Sequence, residues 1–182
     1  MQKNLLRRLA LIVAFALLTA AGAQAFRRIG ASPIPVSLGL LAVFFTGAAL
    51  PKKDALFSQV LYLLLVIAGL PFYSGFLGGM QVVTAMTGGF VIAYPLVAVI
   101  VSLSVERFGR GFWQYLFAMA GSLLAYFALG FGQLLAVSGM GIPAAFSMAV
   151  KPFLLPDLCI ALAGAAICWI VRKAALKMGK SH

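Results

Sequence analysis

Long apolar runs follow one another through this 182-residue chain, with only short basic segments between them. An α-helix crosses the hydrocarbon core of a bilayer with about 20 apolar residues, within a range of roughly 17–25. Six runs qualify: Leu5–Phe26, Ile34–Leu50, Ala55–Leu70, Val82–Leu103, Gly111–Val137 and Phe153–Val171. Hydrophobic residues make up 64% of the chain and charged residues 9%, whereas soluble domains carry about 25% charged residues. Such a chain has too little polar surface to stay in water. The expected fold is an all-α integral membrane protein, a single domain over residues 1–182 built as a bundle of six transmembrane helices.

The basic residues orient the bundle. With the N-terminus in the cytoplasm, the inner segments hold Lys3, Arg7, Arg8, Lys52, Lys53, Arg107, Arg110, Arg172, Lys173, Lys177 and Lys180, and the outer segments hold Arg27, Arg28 and Lys151. Eleven against three follows the positive-inside rule and puts both termini in the cytoplasm, as six spans require. This placement explains the net charge of +11 as topology, without nucleic acid as a partner.

The stretch Gly69–Pro95 (GLPFYSGFLGGMQVVTAMTGGFVIAYP) breaks the pattern. It sets two glycine-rich knots, a Gln and two Thr between apolar runs. Irregular backbone cannot face lipid, because each unpaired N–H or C=O there costs several kcal/mol. The stretch therefore lies at the membrane surface, inside protein or along a cavity, and it marks the place to look for a ligand. Gly88 and Gly89 either unwind a helix or allow close backbone approach; Thr87, Phe90 and Tyr94 flank them. A second outer segment, Ser138–Pro156, is long and mostly apolar, and reads as a lid loop or as a loop lying in the headgroup region.

Few residues can carry chemistry. Asp54 and Glu106 sit among cytoplasmic basic residues and read as interface charges. Asp157 follows Pro156 at the expected start of the sixth span, where it serves as an N-cap, as a ligand contact, or as both. Arg27, Arg28 and Lys151 are either ordinary loop charges or the partners of an anionic group. Enzyme signatures are missing. Gly179-Lys180-Ser181 resembles the end of a phosphate-binding loop, but Ala174 stands where the first Gly is needed. The only His is His182, so a nucleophile–His pair cannot be assembled, and no His/Cys/carboxylate cluster suits a metal. In the first run Ala10/Ala14 and Ala16/Ala20 form a small-residue ladder suited to docking a partner helix.

Several strings occur together in a specific order: Ile34-Pro35-Val36, Ser58-Gln59-Val60-Leu61-Tyr62-Leu63-Leu64-Leu65, Ala68-Gly69-Leu70-Pro71-Phe72, Thr87-Gly88-Gly89-Phe90 and Lys151-Pro152-Phe153-Leu154-Leu155-Pro156-Asp157. From about residue 34 onward they resemble the BioY family, the biotin-binding S components of energy-coupling factor (ECF) transporters. The resemblance implies a six-helix protein of the bacterial cytoplasmic membrane that captures biotin at the outer face. It also implies a transmembrane coupling protein and two cytoplasmic ATPases as partners, with no cofactor and no catalysis by this chain. The ligand site it implies comprises Asp157, Thr87, Gly88, Gly89, Phe90, Tyr94, Phe72 and Gln81, and the Ala ladder becomes the docking face. The family's Asp-x-x-Lys at the start of helix six reads Asp157 and Ile160 here, so Arg27, Arg28 or Lys151 is expected to supply the charge for the ligand carboxylate. The alternatives are an S component for another small vitamin or carboxylate, and a membrane assembly subunit that transports nothing.

The first run has a rival reading. Lys3, Arg7 and Arg8, an apolar stretch and Ala23-Gln24-Ala25 also resemble a secretory signal with its cleavage site. Cleavage would leave five spans and break the charge pattern, so the run is expected to be retained. N-terminal sequencing of the mature protein should find residues upstream of Ala25; a start immediately after it would contradict the topology.

Overall fold

The computed structural model describes residues 2–28 and 35–178. Ile34, the expected first residue of the second span, and the tripeptide Gly179-Lys180-Ser181 lie outside them, as does His182. The described residues form nine helical segments and one antiparallel ribbon: α1 (Gln2–Gln24), β1 (Phe26–Arg28), β2 (Pro35–Ser37), α2 (Gly39–Ala49), α3 (Lys52–Ile67), α4 (Met80–Thr84), α5 (Gly88–Ile92), α6 (Tyr94–Phe108), α7 (Phe112–Ser138), α8 (Ile142–Ala149) and α9 (Lys151–Met178). In the ribbon Phe26, Arg27 and Arg28 pair with Ser37, Val36 and Pro35.

Helical stretches long and apolar enough to cross a membrane are Asn4–Gln24, Gly88–Phe108, Phe112–Ser138 and Ile142–Met178, with Gly39–Ala49 a shorter apolar helix. The chain is thus a helical, multi-pass membrane protein in its general architecture. Glycines end several segments. Gly69 after α3, Gly109 after α6 and Gly139 after α7 all have positive φ, the backbone geometry that closes a helix C-terminus and favours glycine.

α6 is the central helix, packed on α2, α3 and α7. The stretch that contains it is 67% buried, against 17% for Asn4–Gln24, so α1 is the helix most open to its surroundings. Close approach at the centre depends on small residues: a Cβ at Gly47 would strike Ala98 and Val101 of α6. α1 leans on α3 through two polar ties. Arg8 makes a two-pronged ion pair with Asp54, Nη2 to Oδ1 at 2.6 Å and Nε to Oδ2 at 3.1 Å. In mid-helix the buried Gln59 Nε2 donates to Thr19 Oγ1 and Thr46 Oγ1, both at 3.0 Å, joining α1, α2 and α3. Asp54 is therefore a structural ion-pair partner and not merely one of several surface charges.

Two expectations are corrected, and a third is decided between its alternatives. The segment Ser138–Pro156 is not a loop: it holds α8, whose Ala145 and Ala149 are buried, and the first turn of α9. Pro143 occupies the first turn of α8, where its missing N–H is tolerated. α9 starts at Lys151 rather than Phe153, so Asp157 lies inside a helix and is not its N-cap. The fourth run does not unwind at its glycines; the helix is interrupted at Ala85–Thr87, and Gly88-Gly89 open α5.

The glycine pair serves packing. A Cβ at Gly89 would run into the Leu129 carbonyl of α7, and one at Gly88 into the Val83 carbonyl, while Phe90 fills the space above Gly130. Gly89→Ala should push α5 off α7 and cost roughly 1–3 kcal/mol. Thermal unfolding in detergent should show a lowered midpoint; an unchanged midpoint would contradict the close approach.

Candidate functional site

Four of the chain's five tyrosines converge between α3, the segment after it, α6 and α7. Tyr62 stacks on Tyr94 with ring centroids 5.9 Å apart, and Tyr94 on Tyr126 at 6.3 Å. Phe90 meets Tyr126 at 5.0 Å, and Phe127 closes the group at 5.4 Å from Tyr126. Tyr73 lies within electrostatic range of Tyr62 and Tyr126. Burial raises the Tyr73 phenol above its ordinary range, and the Thr87 hydroxyl works against that shift. The phenol is therefore neutral at physiological pH and keeps its proton for donation.

Asp157 comes to this cluster from α9, close enough to Tyr126 to interact with it electrostatically. It is 4% exposed. No ion pair reaches its carboxylate from the described residues. Buried charges in proteins are paired or hydrogen-bonded as a rule, and an acid inside a membrane segment marks a functional site by default. The cluster thus combines stacked aromatic faces, several phenolic hydroxyls and one buried carboxylate. Flat, polar-edged ligands that carry N–H donors fit such a set.

The irregular segment before the site is held by side chains from elsewhere. Tyr62 donates its hydroxyl to the Phe72 carbonyl at 3.2 Å. Gln133 of α7 donates to the carbonyls of Val83 at 2.6 Å and Ala85 at 2.7 Å, which fall at the break between α4 and α5. Gln24, at the end of α1, donates to Pro71 and Tyr73 and accepts from the Phe76 N–H.

The residues expected from the sequence divide into groups. Asp157, Phe90, Tyr94 and Thr87 are brought to the cluster. Phe72 is half-buried beside it and contributes its carbonyl to Tyr62. Gly88 and Gly89 are buried under α7, and packing accounts for them without a ligand. Gln81 is exposed and donates back to the Gly78 carbonyl at 2.7 Å. Lys151 is exposed at the start of α9, and Arg27 and Arg28 lie in β1. Ile160 is half-buried and packs against the core. Of the Ala ladder, Ala10 and Ala14 are exposed, but Ala16 and Ala20 belong to the fold's own core. The sequence reading missed Tyr62, Tyr73 and Tyr126, and also Gln24 and Gln133. The scarcity of hydroxylated aromatics in so apolar a chain was the available signal.

A separate groove of about 510 Å³ opens on another face, between α1, α2, the start of α7 and the end of α9. Phe15, Phe45 and Ile167 line it, with Arg110 and Arg172 at the rim.

Comparisons with known proteins fall on one family. The sequence model of the BioY family matches residues 1–177. A Pyrococcus horikoshii protein named a probable biotin transporter BioY is 33% identical over 152 residues, covering 84% of this chain and 88% of that one. The biotin transporter BioY of Rhizobium etli is 31% identical over 134 residues, covering 68% and 72%. A crystal structure described as the S-component for biotin from an ECF-type ABC transporter superposes with a TM-score of 0.85 over 95% of this chain and 94% of that one. Its identity is 18%, so the likeness is one of fold.

Proposed function

The chain belongs to the BioY family, and from that premise we propose that it is the biotin-binding S subunit of an ECF-type importer. The observation that carries the reading is Asp157, a buried acid with no ion-pair partner among the described residues, beside a stack of tyrosines. Biotin's ureido ring offers two N–H donors to such a carboxylate and a carbonyl to a phenolic hydroxyl. Its planar ureido ring can lie against the aromatic surface formed by Tyr94, Tyr126 and Phe90. Its acyl tail carries a carboxylate, for which Arg27, Arg28 or Lys151 is the proposed cation. Thr87 sits at the edge of the pocket through its contact with Tyr73.

The protein binds and hands over its ligand; it does not transform it. Energy comes from a transmembrane coupling protein and two cytoplasmic ATPases, consistent with a chain in which Ala174 stands where a phosphate-binding loop needs glycine. In the bacterial cytoplasmic membrane the bundle crosses six times. α2 and α3 supply the two shorter passes, and both termini face the cytoplasm, as the basic residues direct. The coupling protein docks on the open side of α1, where Ala10 and Ala14 are available and Ala16 and Ala20 are not.

One observation favours a second ligand class. Ile160 stands where the family's lysine is expected, so among the described residues no cation pairs with Asp157, and a small vitamin without a carboxylate tail suits the site as well.

Two outcomes test the reading. Asp157→Ala should weaken biotin binding by about 10–100-fold, the range for a hydrogen bond to a charged group, with the fold intact by circular dichroism; calorimetry that finds wild-type affinity would remove Asp157 from the site. The purified chain should bind biotin without ATP, yet liposomes should accumulate biotin only when the coupling protein and ATPases are reconstituted with it. Robust uptake by the chain alone would contradict the division of labour.

A further inference from the structure

Gln24 closes α1, and its carboxamide is used on both sides by a single loop. Nε2 donates to the carbonyls of Pro71 at 3.3 Å and Tyr73 at 3.2 Å. Oε1 accepts from the Phe76 N–H at 3.0 Å. One side chain therefore satisfies three backbone groups that sit 47 to 52 residues further along the chain.

The loop it holds is unusual in itself. Tyr73 and Leu77 exchange backbone hydrogen bonds at 2.9 and 3.2 Å, which pinches residues 73–77 into a tight lobe. At its tip Phe76 has φ +58°, and it is the one non-glycine with positive φ among the described residues. A bulky residue there is a genuine outlier that persists only where its surroundings hold it. Its side chain is not the anchor, because Phe76 is 71% exposed. The Gln24 bond to its N–H fixes the backbone instead. The other end of the loop is fixed to the candidate site, through the Tyr62 hydroxyl on the Phe72 carbonyl and through Tyr73 in the tyrosine cluster.

We propose that Gln24 is a positioning residue that latches the 71–77 lobe to α1 and thereby keeps Tyr73 and the Phe72–Tyr62 contact closed over the ligand pocket. The latch ties the most exposed helix of the bundle to the wall of the site. Any displacement of α1 relative to α3 at this end breaks the Gln24 bonds first, since they reach across to a loop and not to a packed helix. Release of the ligand is then linked to the position of α1. The latch stands on the hydrogen bonds alone; its effect on release rests on the reading of the pocket as a biotin site.

The test uses the full chain in nanodiscs with two readouts. In the ligand-free protein, Gln24→Leu should raise amide hydrogen exchange across residues 73–77 by about tenfold, the loss expected for one net hydrogen bond, with α3 and α7 unchanged. Gln24→Glu, which keeps the acceptor for Phe76 and loses the donors, should fall between. Adding Phe76→Gly, which removes the positive-φ strain, should slow exchange part of the way back. With biotin, Gln24→Leu should speed dissociation by about tenfold while association changes by less than about twofold. Unchanged exchange in the lobe overturns the latch. Altered exchange with an unchanged dissociation rate overturns the positioning role. Failure of the wild-type chain to bind biotin would count against the function proposed above, and the exchange arm would still decide the latch.

Discussion

Inside an apolar protein every backbone N–H and C=O must find a partner, and this fold meets that constraint in an unusual place. From Gly69 to Ala93 the chain is mostly not regular helix, yet it lies against the bundle's core. Three side chains from other elements supply the missing partners: Tyr62 for Phe72, Gln24 for Pro71, Tyr73 and Phe76, and Gln133 for Val83 and Ala85. Leaving such groups unmet would cost several kcal/mol each. The site exists because the irregular segment is held in this way: Tyr73, Thr87 and Phe90 are carried by it, and Tyr94 follows directly from its end.

The same economy explains the glycines. Gly88 and Gly89 bring α5 against α7, so that Phe90 lies over Gly130 and against Tyr126. Close packing on one side of the segment and side-chain hydrogen bonds on the other hold the tyrosine rings and Asp157 together at one place in the bundle. Among the described residues the Gln59 carbonyl oxygen and the Ser58 hydroxyl are buried without a hydrogen-bond partner, one turn along α3 from Tyr62.

Much of this was legible in the chain before its structure. Apolar run length located the long helices, and Gly69 with Pro71 marked the end of α3 because only backbone chemistry is needed to read that stop. The irregularity of Gly69–Pro95 could also be inferred, since glycine and proline act locally. What could not be read was which distant side chains would satisfy that segment. Gln24, Gln133 and Tyr126 gain their roles only from tertiary contacts 32 to 52 residues away, and their neighbours in sequence say nothing of it. Of the two roles open to Asp157, N-cap and ligand contact, the structure removes the cap. Pro152 and Pro156 each suit the first turn of a helix, and the earlier one prevailed, which moved Asp157 from the cap into the helix. α8 was hidden by the same ambiguity, with Gly139, Gly141 and Pro143 reading as loop where Pro143 in fact starts a helix.

The account's central claim is that the tyrosine–Asp157 pocket holds biotin. Native mass spectrometry of the purified full chain, challenged with an equimolar panel of vitamins, addresses it most directly. The account predicts a one-to-one adduct with biotin that outcompetes the other vitamins. A different vitamin in the adduct, or no adduct from any of them, would contradict it.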